Sequence, residues 1–483
     1  MRDTFNAEGA LMLWADRAAS SPHDLEHVSL MHGWVPPAVQ IVTGAVLLLA
    51  VGWRTRRWRL VTLPLLAMFG ASLAAVARWY VGHAGMTGDS APALLLIWIA
   101  LTGLAVGTAV AGWRGSRWRR RALSILAVPL SVLCSALSLN IWVGYLPTVE
   151  SAWNQFTAGP LPDQTDRTTH TAMQLAGRVR SKGAVVAVNI SAAASRFAHR
   201  GELVYLPPAW FATNPPPRLP AVMMIGGEFN TPADWLRAGD AITAIDAFAA
   251  AHAGNAPVFV FADSGGGFNT DTECVNGVRG NAADHLTKDV IPFLVSNFGV
   301  SSHRSDWGVA GFSSGGTCAI DLTVMHPDLF GAFADIGGDL SPNSGSKAQT
   351  IDRLFGGNAA AWSDFDPGTV IVRHGPYDAV SGLFVVSGGL VDHNGAVAAT
   401  ANPEDDAANT LCALGTARGI HCTVIAQPGK HDWPFAGRAF AAALPWLAGQ
   451  INTSGVPRIP LPPPAATLLK SLLASARSAH PHH

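Results

Sequence analysis

The sequence predicts two folds in one chain: an α-helical membrane domain of four spans, then an α/β domain with a mostly parallel eight-stranded sheet and helices on both faces. Two observations carry this. Four apolar stretches, each close to the ~20 residues that cross a hydrocarbon core, crowd the first 147 of 483 residues. From residue 185 onward, short β-branched runs alternate with longer helical patterns, which implies parallel strands with helical crossovers. The length suits two or three structural units. A net charge of −1 with 13% charged residues leaves no basic excess for nucleic acid.

The expected spans are residues 37–53, 60–81, 91–113 and 123–146. The first is the shortest and draws on Trp34 and Pro36 at its flank. Arg78 can snorkel to an interface, and Pro129 sits where a membrane helix tolerates a kink. Trp53, Trp58, Trp79, Tyr80, Trp113, Trp118, Trp142 and Tyr145 lie near span ends, as aromatic belts do. The first loop carries Arg54, Arg56, Arg57 and Arg59, and the third carries Arg114, Arg117, Arg119, Arg120 and Arg121. Residues 82–90 carry neither Lys nor Arg, and after the fourth span none occurs until Arg167. Positive loops stay inside, so both termini and residues 148–483 are expected outside the cytoplasm. Residues 1–33 lack the pattern of a cleavable signal and read as a short outer segment. No Asp, Glu or Lys falls in the spans to mark a transport path, so the domain is a passive anchor or a lateral groove for lipid.

The expected strands are residues 185–190, 202–206, 221–225, 257–262, 308–312, 332–336, 369–373 and 422–426. The expected helices are 233–251, 282–297, 314–326, 404–418 and 435–447. Residues 148–184 read as a connector, 185–450 as the α/β domain, and 451–483 as a loose Pro-rich tail that ends in His480, His482 and His483. Cys134 lies in an apolar run. The four remaining cysteines, Cys274, Cys318, Cys412 and Cys422, permit two disulfides, with Cys412–Cys422 the preferred pair; four buried thiols is the other reading. No C-x-x-C pair supports a zinc site, and neither metal nor cofactor is expected.

The chemistry centres on residues 311–315, Gly-Phe-Ser-Ser-Gly, a G-x-S-x-G pattern between an apolar strand and a helix. In such an elbow the serine sits on a sharp turn that glycine neighbours allow strand and helix to crowd, which makes Ser313 the expected nucleophile of an α/β-hydrolase. A serine hydroxyl needs a base, and chain order in this fold is Ser, acid, His. His431, between the last strand and the last helix, is the expected base. Asp378, after the expected strand 369–373, is the expected acid, with Asp392, Asp405 and Asp406 as fallbacks. The oxyanion donors are expected to be the backbone amides of Ser314 and, in the turn 225–229, Glu228, with Gly227 as the near alternative. Asp263, Asp271 and Trp433 are weaker candidates for substrate contact, together with Gly227.

With those residues in place, the stretch 200–450 resembles the esterase-D group of α/β-hydrolases, which includes the actinobacterial mycolyltransferases. The turn 226–228, the segment 285–292 (His-Leu-Thr-Lys-Asp-Val-Ile-Pro), the elbow 311–316 and the segment 431–435 (His-Asp-Trp-Pro-Phe) carry the resemblance. It implies an acyl-enzyme mechanism with no cofactor. The mycolyltransferases usually have Asp-Gly where this chain has Gly226-Gly227, their acid is commonly Glu, and they are secreted by cleavable signals. Mycolyl transfer is therefore not carried over. The expected activity is hydrolysis of a lipid or cell-envelope carboxylic ester, with acyl transfer to a sugar or glycolipid, or an inactive membrane sensor, as the rivals.

Overall fold

The computed structural model describes residues 28–52, 54–84, 91–113, 117–146, 180–267, 270–388 and 403–461, with a few positions between 148 and 165. It divides into two compact units, residues 1–83 with 89–159, and residues 84–88 with 160–483. Residues 1–27, Asp392 and the terminal histidines lie outside the described residues.

The first unit is helical: α1 (Val35–Val51), α2 (Leu63–Ala84) led in by a π-helical turn (Trp58–Thr62), α3 (Ala93–Ala111) and α4 (Trp118–Val143). Three stretches, Trp58–Val81, Ala93–Ala111 and Trp118–Val143, are long and apolar enough to cross a membrane; α1, at 17 residues, is a shorter apolar helix. A Cβ on Gly70 would overlap the Ala100 carbonyl, and one on Gly103 would lie 2.8 Å from the Gly70 Cα. α2 and α3 therefore cross backbone against backbone, as small residues permit. Arg54 donates to the carbonyls of Ala50, Val51 and Gly112, so one guanidinium neutralises the negative ends of both α1 and α3.

The second unit holds a sheet built from β1 (Gln164–Thr165), β2 (Ala184–Val188), β3 (Glu202–Leu206), β4 (Ala221–Ile225), β5 (Val258–Ala262), β6 (Trp307–Phe312), β7 (Ala332–Ile336), β8 (Ser381–Gly388) and β9 (His421–Pro428). The order is β1-β2-β3-β5-β4-β6-β7-β8-β9, with β3 antiparallel to both neighbours and every other pair parallel. β3, β4, β5, β6 and β7 are buried along their whole length, as strands covered on both faces must be. The helices that matter to the site are α5 (Ala241–Ala251), α6 (Ile291–Phe298), α7 (Ser314–Met325), α8 (Lys347–Phe355), α9 (Pro367–His374), α10 (Pro403–Thr416) and α11 (Trp433–Gln450). Disulfides join Cys412 to Cys422 and Cys274 to Cys318, and Cys134 is a buried free thiol.

Several expectations are corrected. The sheet has nine strands, because Gln164–Thr165 adds an edge. Residues 369–373 are not a strand: Asp366 caps α9 through Thr369 N–H, Pro367 fills its first turn, and Val370 and Ile371 face the core together. The real strand at this place is β8. The helix expected over 233–251 is broken at Gly239-Asp240, where Asp240 takes φ 49°. The tail is packed at its start: Ile451 is buried and Asn452 Nδ2 donates to Asp306 Oδ1 at 2.8 Å.

Candidate active site

β6 ends at Phe312 and α7 opens at Ser314, which leaves Ser313 alone on the bend at φ 60°, ψ −126°. That is a strained conformation for a residue with a side chain, held by a hydrogen bond from Ser313 N–H to Ile336 O at 2.9 Å. The glycines permit it. A Cβ on Gly311 would overlap the Gly315 carbonyl, and one on Gly315 would overlap the Ile225 carbonyl. Ser314 is the first residue of α7, so its N–H is one of the first-turn donors that no helical carbonyl can take.

β4 lies parallel beside β6 with Ile225 opposite Gly311, and the turn that leaves β4 therefore arrives at the elbow. A Cβ on Gly227 would come within 2.9 Å of the Ser313 Cβ. Asn230 N–H closes the turn on Gly227 O at 3.2 Å, with Glu228 inside it. The turn that holds Gly227 and Glu228 thus lies against Ser313, beside Ser314.

His431 follows β9, and its ring packs against Phe312 at a centroid distance of 4.7 Å, next to the expected nucleophile. Its Nδ1 lies 2.8 Å from Glu404 Oε1, and Glu404 also accepts from Ser387 N–H (3.2 Å) and Ser387 Oγ (3.0 Å). Burial works against charge on both groups. Their hydrogen bond and mutual charge outweigh it, raising the pKa of His431 above its ordinary value and holding that of Glu404 below its own. The acid facing the base is therefore Glu404, at the start of α10, and not Asp378. Asp378 precedes β8 rather than following it, is 97% exposed, and lies 3.9 Å from Arg304. It lines an open cavity of about 690 Å³ with Ser381 and His421, the first residues of β8 and β9, at the amino edge of the sheet. The fallbacks Asp405 and Asp406 neighbour the right residue, and Asp432 caps α11 through Phe435 N–H. Glu404 had one signal in the sequence, the frequency of Glu as acid in the resembled group.

Two weaker candidates are also reassigned. Asp263 is 1% exposed and fully engaged by Arg200 and by the amides of Gly265 and Gly266, so no oxygen is left for substrate. Trp433 is 1% exposed, edge-on to Trp235 and packed on Phe312; it supports the elbow from below. Asp271 remains near the site: burial and the charge of Asp271 push the Glu228 carboxyl up to about 9, against the pull of Arg279. Glu273 and Asp339 are also raised, burial being the first cause in each, and Asp339 feels both His431 and Glu404. Beneath them Asp335 is pushed up to about 7 by burial, although Gly338 N–H donates to it at 2.7 Å.

Among the described residues one group has metal-ligand character, His199, Glu202 and His285. His285 Nε2 is 2.7 Å from Glu202 Oε1 and its Nδ1 is 3.3 Å from Asp289 Oδ2. Two ligands of one tetrahedral zinc sit about 3.3 Å apart. The shorter Nε2–Oε1 distance is that of a hydrogen bond, so His285 stands between Asp289 and Glu202 as a hydrogen-bonding partner.

A nucleophile elbow at the carboxyl edge of a doubly covered parallel sheet, with a His–Glu pair and an amide-lined turn beside it, defines a serine-type α/β-hydrolase. The chain belongs to the family described as putative esterase, whose model matches residues 198–447. It is a serine hydrolase or a related acyltransferase. It is 27% identical over 425 residues to an uncharacterised protein of Corynebacterium glutamicum, covering 85% of this chain and 94% of that one. Similar solved structures include a ferulic acid esterase (15% identity, TM-score 0.44, 56% of this chain and 99% of that chain). They also include an S-formylglutathione hydrolase from Agrobacterium tumefaciens (14% identity, TM-score 0.44, 57% and 98%).

Proposed function

We propose that the protein is a membrane-anchored serine esterase, acting outside the cytoplasm on a lipid or cell-envelope carboxylic ester. His431 takes the Ser313 proton as Oγ attacks the ester carbonyl, and Glu404 orients the ring and stabilises its cation. The amides of Glu228 and Ser314 hold the oxyanion. Collapse breaks the ester C–O bond, the proton passes from His431 to the leaving alkoxide, and the acyl group stays on Ser313. Water, activated by the same imidazole, then releases the acid. The observation that carries this reading is the 2.8 Å His431–Glu404 pair against the residue that precedes Ser313.

Topology supports the substrate class. A hydrolase unit that follows apolar helices on the arginine-poor side meets envelope esters first. Acyl transfer to a sugar or glycolipid uses the same acyl-enzyme and differs only in the acceptor.

The test is fluorophosphonate labelling of the detergent-purified full chain. Wild type labels stoichiometrically and Ser313→Ala does not. A folded wild type that resists labelling would overturn the triad and favour the sensor reading. Products formed with and without an added alcohol acceptor then separate hydrolysis from transfer.

A further inference from the structure

We infer that Arg200 is a positioning residue for this reaction, holding the turn that carries the Glu228 amide in place against Ser313. The inference rests on the acyl-enzyme reading and adds a residue to it.

Arg200 stands just before β3, distant in sequence from every residue of the site. Its guanidinium meets Asp263 through Nε (3.1 Å to both oxygens) and Nη2 (2.5 Å to Oδ1), while its own N–H donates to Asp263 Oδ2 at 2.6 Å. The same Nη2 donates to Asn230 O at 2.7 Å. Asn230 is the residue whose N–H closes the turn on Gly227, and Gly227 is the residue packed on Ser313. Asp263 ends at the carboxyl edge of β5, is 1% exposed, and is braced by the amides of Gly265 and Gly266. A fixed carboxylate thus fixes a planar cation, and the cation fixes the turn. An oxyanion donor works only where its N–H is already aimed at the developing charge, so a turn free to relax loses rate rather than substrate affinity. Lysine keeps the charge beside Asp263, but a single ammonium cannot reproduce the fork that meets the carboxylate and the Asn230 carbonyl together.

The experiment uses the detergent-purified full chain with p-nitrophenyl butyrate, active sites being titrated with fluorophosphonate. Arg200→Lys is expected to lower kcat per titrated site 10- to 100-fold with KM within threefold. Affinity for a trifluoromethyl ketone, which forms the tetrahedral adduct, falls in parallel. A merely structural role would reduce the number of titratable sites and leave kcat per site and ketone affinity alone. Should Arg200→Lys fail to fold, Asp263→Asn, which keeps the shape and removes the anchoring charge, is expected to show the same pattern more weakly. Values of kcat per site within twofold of wild type in the folded variants would overturn the inference. A wild type without Ser313-dependent turnover would overturn the esterase reading and this inference with it.

Discussion

At the scale of single residues, the acid is the sharpest claim. Glu404→Gln is expected to lower kcat/KM about 10²- to 10⁴-fold, because the neutral amide neither fixes the tautomer of His431 nor stabilises its cation. Asp378→Asn, at the opposite sheet edge, is expected to stay within twofold of wild type. The pH profile gives a second reading. His431 must be neutral to act as base, and its pKa is raised by Glu404 against the effect of burial. Activity should therefore rise with pH and level off above 6.5, and Glu404→Gln should move that limb to lower pH while its plateau falls. Stability follows with the opposite sense at each end. The raised His431 contributes below its unfolded pKa and loses that contribution as pH rises through its folded value. The depressed Glu404 contributes above its unfolded pKa and loses it as pH falls through its folded value. The pair stabilises most between the ordinary carboxylate range and the ordinary imidazole pKa, loses that stabilisation as pH rises on through the raised pKa of His431, and a thermal melt series across both limits should flatten in the variant.

At the scale of elements, both disulfides fasten the site. Cys412 lies in α10, whose first turn carries Glu404, and Cys422 lies in β9, which delivers His431. Cys274 follows the Asp271 loop and Cys318 lies in α7 behind the elbow. Loop-closure entropy assigns roughly 3 kcal/mol to the first bridge and roughly 4 kcal/mol to the second, from sequence separations of 10 and 44. Urea unfolding of the paired Cys→Ser variants should therefore show the larger loss for Cys274/Cys318, and equal losses would rule out loop length as the source. The same scale explains what the sequence disclosed. β4, β5, β7 and the elbow were legible because a fully buried parallel strand is a short apolar run, and because G-x-S-x-G names its own turn. Residues 369–372, Thr-Val-Ile-Val, carry the same β-branched signal but fold as helix, since the Asp366 cap and Pro367 start a turn whose Val370 and Ile371 pack inward. That one exchange moved the expected acid to the wrong side of β8. Arg200 left no local trace, because its partners lie 30 and 63 residues away.

At the scale of the whole chain, the location of the hydrolase unit depends on one helix. α4 begins beside Arg117, Arg119, Arg120 and Arg121 and has 26 residues, enough to cross a bilayer. If its arginine-rich start is cytoplasmic, whatever follows Val143 is outside, whether or not α1 crosses. α1 decides only the side of residues 1–33. Its 17 residues span about 26 Å at 1.5 Å per residue, against a core of about 30 Å. Arg54 joins the carbonyl ends of α1 and α3, which puts those two ends on one side and favours a full crossing by α1. Alkaline phosphatase fused after His483 should be active, and fused between residues 113 and 117 it should be inactive. The reverse pattern would place the hydrolase in the cytoplasm and remove envelope esters from its substrates. A phosphatase fused ahead of residue 28 tests α1 separately: activity means four spans, and inactivity there with activity at the other end means three.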